Sequence, residues 1–262
     1  MADVFGQCDF SIRLDWGPVG AAEMQADVCV VVDVLSFSTS VTIAVERGMT
    51  VFPYRWKGPL ADEFARINDA VLAVGRLEAS AIDRPPPPSL SPAALLGCAV
   101  TPRIVLPSPN GSTICVLLQD SGAEILIGSL RNASAVASRL AYAVRAGASV
   151  GLVAAGERWG ADGSLRPALE DHLGAGAIVS HLRRLGVAEG ASPEAVAAAD
   201  LFDASRADLR QRLHACVGGR ELTGKGFASD VDAAADLDAS MTVPVLVEGA
   251  FVAGTATDSV QI

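Results

Sequence analysis

Lysine is nearly absent from this sequence. Lys57 and Lys225 are the only two, and arginine supplies every other basic residue. With 20 basic against 30 acidic side chains the net charge is −10. No basic run occurs, so the electrostatic footprint of a nucleic-acid binder is missing. Aromatic residues make up only 5%. The five cysteines, Cys8, Cys29, Cys98, Cys115 and Cys216, are odd in number and form no C-x-x-C pair. They do not make a disulfide framework and predict a reducing compartment. Long apolar runs are lacking as well. Val28–Val32 stops at Asp33, far short of the ~20 residues of a membrane span. The opening stretch MADVFGQCDF has no signal-peptide core. These absences predict a cytoplasmic protein with neither nucleic acid nor membrane as partner. They leave a homo-oligomer open. An acidic protein repels anions at long range, so an anionic substrate calls for local donors or a bound cation.

What is present is a large apolar fraction, 50% of 262 residues. That is enough to bury roughly 70–75% of the extended chain's surface without staples. Short β-branched runs alternate with longer Ala-rich segments. Strands are predicted at Phe10–Asp15, Val28–Val34, Thr50–Arg55, Val71–Gly75, Arg103–Pro107, Glu124–Gly128 and Ser149–Ala155. Helices are predicted at Ser38–Arg47, Leu60–Asn68, Ser112–Asp120, Asn132–Arg145 and Pro167–Leu185, most of them ending at a glycine. The alternation implies one three-layer α/β/α domain over residues 1–262 with a largely parallel or mixed sheet. Residues 82–92, with Pro85–Pro88, read as an extended surface loop. Residues 192–240 read as a helical segment, and Val243–Glu248 with Ala250–Ala253 as a hairpin or sheet edge.

Ligands of open α/β sheets bind beyond the carboxyl ends of the strands. Four predicted strands end there in small polar residues: Asp33, Ser36, Ser38 and Thr39; then Asn110, Gly111, Ser112 and Thr113; then Ser129, Arg131 and Asn132; then Gly156, Glu157 and Arg158. Such turns offer free N–H groups to an oxyanion, and Gly111 admits a close approach of backbone. Helix capping by Ser38, Ser112 and Asn132 is the competing explanation. Asp33 ends a buried strand, where a charge needs a partner or a metal. Glu170 and Asp171 open a predicted helix and point about 100° apart, given 3.6 residues per turn. Gly174 and Gly176 suggest that this helix packs closely on the sheet. His181 and His214 read as helix-surface residues, while His172 adjoins the acidic pair. Gly219–Gly226 falls short of a P-loop because Gly226 stands where Ser or Thr is needed.

The strings VVVDVLSFSTSVTIAVERG, PNGST, IGSLRNASAVA, ALEDHLGAGAI and GRELTGKGFASDVDAAADLDASMTVPVL resemble, in order, the 2-phosphosulfolactate phosphatase family. The resemblance implies an α/β, Mg²⁺-dependent phosphatase that converts (R)-2-phospho-3-sulfolactate into 3-sulfolactate and phosphate, a step of coenzyme M biosynthesis. With that activity, Asp33 and one or both of Glu170 and Asp171 are expected to hold the metal and to take part in catalysis. Substrate binding would fall to Ser36, Ser38, Thr39, Arg76, Asn110, Gly111, Ser112, Thr113, Ser129, Asn132 and Arg158, with Arg131 as a further source of positive charge. The family's usual D-V-L-R-A-T-T differs here, Ser36 replacing Arg and Phe37 replacing Ala. Its G-E-R is represented by Gly75-Arg76 and its N-S-P by Leu90-Ser91-Pro92. A phosphatase acting on another small phospho-acid, and a non-catalytic anion-binding module, are the alternatives.

Overall fold

A computed structural model describes residues 4–55, 58–80 and 88–254. Its strands are β1 (Ile12–Trp16), β2 (Val28–Val32), β3 (Thr50–Tyr54), β4 (Val71–Leu72), β5 (Arg103–Pro107), β6 (Glu124–Gly128), β7 (Val150–Ala154), β8 (Glu157–Arg158), β9 (Leu165–Arg166), β10 (Pro244–Val247) and β11 (Ala250–Ala253). The helices are α1 (Gly17–Glu23), α2 (Phe37–Glu46), α3 (Pro59–Ile67), α4 (Arg76–Ser80), α5 (Pro92–Gly97), α6 (Gly111–Leu118), α7 (Ala133–Arg145), α8 (Leu169–Arg184), α9 (Pro193–Ser205), α10 (Leu209–Ala215), α11 (Val217–Gly224) and α12 (Ala228–Ala234). The main sheet is mostly parallel, with strand order β1-β7-β2-β6-β10-β11-β3-β5-β4.

The apolar runs explain the layers. Alternate side chains of a strand point to opposite faces. In β2, Val28, Val30 and Val32 enter one core with α7, α8 and α9. Cys29 and Val31 enter a second core with α2 and α6. Each fully buried valine contributes roughly 1.5–3 kcal/mol, so a strand apolar on both faces is held by helices above and below. Gly174 lets α8 lie on β2, since a Cβ there would meet Val34 Cγ2 at 2.6 Å. Gly176 serves another contact. Its Cβ would come within 2.1 Å of the Ala198 carbonyl oxygen, so it packs α8 on α9 rather than on the sheet.

The final hairpin is not a sheet edge. β10 pairs antiparallel with β6 through Val245 and Leu126, and β11 antiparallel with β3 through Phe251 and Val51. It joins two parallel blocks, β1-β7-β2-β6 and β3-β5-β4, in the middle of the sheet. Three successive antiparallel steps reverse the sense of the second block relative to the first. Both blocks still share one core, where Val51, Ile104 and Leu106 meet Val31, Ile125 and Ile127.

The predicted surface loop is corrected at its carboxyl end. Residues 82–87 lie outside the described residues, but Ser89 and Ser91 are buried and Ser91 caps α5 through the Ala94 N–H. The segment after α8 forms α9–α12 without an intervening strand, and α11 occupies the near-match to a P-loop. No helix among the described residues is long and apolar enough to cross a membrane.

Candidate active site

Asp33 directly follows β2 and is 7% exposed. Its Oδ1 accepts the N–H of Phe37 at 3.2 Å, and its Oδ2 accepts the N–H of Gly111 at 2.9 Å. These are the first residues of α2 and α6. Two helix amino ends, one following each block of the sheet, therefore meet on one carboxylate, where their dipoles favour negative charge. A Cβ on Gly111 would stand 2.3 Å from Phe37 Cδ1 and 2.8 Å from Asp33 Oδ2. The close approach that glycine permits serves Asp33 and Phe37 rather than a ligand directly.

Asp171, 3% exposed, accepts from Val34 N at 2.7 Å and from Gly156 N at 2.9 Å. Burial, reinforced by Glu157 and Glu170, pushes the Asp33 carboxyl up to about 6 against the pull of its N–H bonds. Burial, then the charges of Asp33 and Glu170, raises Asp171 well above the carboxylate range. Glu170 is itself buried but diverges from its neighbour as helical spacing requires. It lies against α11, where a Cβ on Gly218 would meet Glu170 Oε1 at 2.2 Å. Burial, with the Glu170 carboxylate second, pushes the Cys216 thiol up to about 12.

Among the described residues no three or more His, Cys, Asp or Glu side chains form a ready metal cage. The donors are nonetheless hard oxygens, and each oxygen of Asp33 and Asp171 keeps lone-pair capacity beyond its N–H bond. Buried carboxylates that raise one another are relieved by a cation. The set fits an ion of the Mg²⁺ type, held by one or two carboxylates together with waters and substrate oxygens.

The predicted hydroxyl donors are largely committed within the fold. Ser38 Oγ accepts from Asp33 N and donates to the Val31 carbonyl. Thr39 donates to the Val34 carbonyl, Ser112 to Leu106 and Thr113 to Pro109. None of Ser36, Asn110 and Asn132, the residues that precede α2, α6 and α7, caps its helix through its side chain. Asn110 turns to Glu157, donating to Oε1 at 3.1 Å. The β6 turn is taken up entirely. Asn132 accepts twice from Ser129 and donates to the Ile127 and Thr242 carbonyls. Asp238 accepts the Ser134 N–H at the start of α7. The side chains of Ser129 and Asn132 thus hold the sheet end together. The rim is built on the β2, β5 and β7 turns.

The arginines separate in the same way. Arg131 is buried and donates to the Ala233 carbonyl and to Asp236. Arg158 is exposed and folds back onto the Gly163 carbonyl at 3.1 Å. Arg76 reaches the rim, donating to Ser36 Oγ at 2.5 Å and to Asp230 Oδ2 at 2.7 Å. Asp230 is fully buried and also accepts from Ser91 Oγ and Ala93 N. Sequence reasoning singled out Ser91 only within Leu90-Ser91-Pro92 and gave no sign of Asp230, its partner here. It also missed the part of Glu157, which sits in the turn it had marked. His172 packs edge-on against Trp16, and burial lowers its pKa. His181 is not a free surface residue but pairs with Asp238 at 2.9 Å, and His214 pairs with Asp232 at 3.0 Å. Gly147-Ala-Ser-Val-Gly151 has the spacing of a nucleophile elbow but leads from helix into strand. Its Ser149 bonds Asp27, at the amino end of β2, away from this rim.

The sheet is covered on both sides by helices, and beyond its strands buried carboxylates and converging helix amino ends form a candidate site suited to oxyanion chemistry. The model of the 2-phosphosulpholactate phosphatase family matches residues 19–249, and the chain belongs to this family of phosphoric monoester hydrolases. It is 32% identical over 231 residues to a probable 2-phosphosulfolactate phosphatase of Deinococcus radiodurans, covering 85% of this chain and 89% of that protein. A protein of the same description from Thermotoga maritima is 28% identical over 235 residues, covering 87% and 93%.

Proposed function

We propose that this phosphatase hydrolyses the phosphate ester of 2-phosphosulfolactate, releasing 3-sulfolactate and phosphate, and that it uses Mg²⁺. The observation that carries the reading is the meeting of two helix amino ends and three buried carboxylates at one rim. A phosphate there would have amide donors beside it and a cation site beneath it.

Asp33 and Asp171 would hold the ion, because backbone N–H bonds fix both carboxylates in place. Glu170, turned toward α11 rather than tied to the strand ends, would orient a water. A bound Mg²⁺ would supply charge to polarise the phosphoryl group. The N–H groups of Ser112 and Thr113, in a first turn that Asn110 leaves uncapped, would bind phosphate oxygens. Arg76 would add positive charge beside Ser36, the position where the family resemblance leads one to expect arginine. That exchange favours a second reading, a phosphatase adapted to a related small phospho-acid.

Phosphate release from 2-phosphosulfolactate and from a panel of phospho-acids, each with Mg²⁺ or with chelator, tests both. Mg²⁺-dependent release from phosphosulfolactate supports the first reading. Release only from another phospho-acid supports the second. No release from any compound by folded protein overturns both.

A further inference from the structure

The β8–β9 ribbon is spliced into the site at both ends. Gly156, just before it, donates to Asp171, and Glu170 and Asp171 follow shortly after it. Glu157 pairs directly opposite Arg166, and Arg158 opposite Leu165. Directly opposed residues of an antiparallel pair share a face. One face therefore carries Glu157, Trp159 and Arg166, and the other carries Arg158 and Leu165. Leu165 packs toward Gly17 and Gly156, whose Cβ positions lie 3.0 and 2.8 Å from its Cδ1. Glu157 reaches Asn110, and its charge acts on Asp33. The face of Arg166 is therefore the one turned to the rim.

The Arg166 guanidinium lies over the Trp159 ring, 5.3 Å from its centroid. Among the described residues no carboxylate pairs with it. Glu157, directly opposite it on the ribbon, turns one oxygen to Asn110 and to the Arg158 N–H. Among the described residues the guanidinium makes one polar contact, a 3.4 Å bond to the neighbouring Pro167 carbonyl. Stacking fixes the plane of an arginine while leaving its donor edge free for a planar or trigonal oxyanion.

We propose that Arg166, held on Trp159, is a specificity-determining residue that binds the non-phosphate acid group of the substrate, a carboxylate or a sulfonate. This rests on the phosphatase reading for its substrate class, but binding tests it separately. Calorimetric titration of the full chain with 3-sulfolactate, lactate and inorganic phosphate is the experiment. Arg166→Met is expected to weaken 3-sulfolactate at least tenfold and to leave phosphate unchanged. Arg158→Met, on the opposite face, is expected to change neither. A parallel loss of lactate identifies the carboxylate as the group bound; lactate affinity held at the wild-type value identifies the sulfonate. Equal weakening of phosphate, unchanged 3-sulfolactate affinity, or wild-type protein that binds phosphate but no acid would each overturn the assignment. Trp159→Phe, which keeps a ring beneath the guanidinium, is expected to retain the binding that Trp159→Ala loses. Absence of phosphatase activity with this binding pattern intact would overturn the function and leave the Arg166 site standing.

Discussion

Asp171 Oδ2 accepts the Gly156 N–H at 2.9 Å while its other oxygen holds Val34 at 2.7 Å. One carboxylate thus ties together the ends of two neighbouring parallel strands. Asp171→Ala would leave two buried N–H groups unpaired, at about 1–3 kcal/mol each, partly offset by removal of a buried charge. A net loss of about 2–4 kcal/mol is expected in urea denaturation, with phosphatase activity abolished. Unchanged stability would mean that the strand ends hold without it.

Gly111→Ala tests the junction of α2 and α6. The added methyl would meet Phe37 and Asp33 inside normal contact. Phosphate-release assays are expected to show at least a tenfold lower kcat/KM. Gly160→Ala, where nothing lies within 4 Å, is the control and should leave activity unaltered.

Arg76 and Asp230 form a pair buried chiefly on the aspartate side, with side-chain exposures of 19% and 1%. Removing one member of a buried pair costs about 3–5 kcal/mol. Arg76→Met should approach that loss because Asp230 is left uncompensated. Arg76→Met with Asp230→Asn should recover much of the stability without the activity. A double variant as active as wild type would remove Arg76 from the substrate site.

Asp33 gives stability a pH dependence opposite to that of ordinary acid denaturation. Its carboxyl is pushed up to about 6 in the fold, against about 3.9 unfolded. Charging it therefore costs more in the folded state. Its contribution falls as pH rises from about 4 to 6 and stays low above that. Asp171 acts in the same direction. Asp27 and Asp238 have lowered values, so their contributions vary only in more acidic solution. His172, also lowered, opposes the trend, and His172→Gln removes it. In chelator, the melting temperature of that variant is expected to fall by several degrees between pH 5 and pH 8. A rise over that window would contradict the burial of an ionised Asp33.

The elements were legible because β-branched runs and terminal glycines act locally. Arg103–Pro107 and Glu124–Gly128 match the predicted strands residue for residue, and the other predicted strands kept within that sheet differ from expectation mainly at their ends. Asp33, Glu170 and Asp171 stood out because charge interrupts apolar sequence. What failed were inferences about partners distant in the chain. Nothing near Asn132 announces that Thr242 will accept its amide, and nothing near Ser134 announces Asp238. The same distance hid Asp230 from Arg76. The position of β10–β11 was equally hidden, because an alternating hairpin reads alike at an edge and at the centre of a sheet.

That hairpin also sets an order of events during synthesis. Val245 and Phe251 supply the contacts that bridge Leu126 to Val51, yet they are translated long after both. Until they leave the ribosome, β6 and β3 each present an open edge, the kind that recruits foreign strands. The nascent chain must keep two half-sheets apart from other proteins, and the sheet closes only when one of its last-made segments arrives.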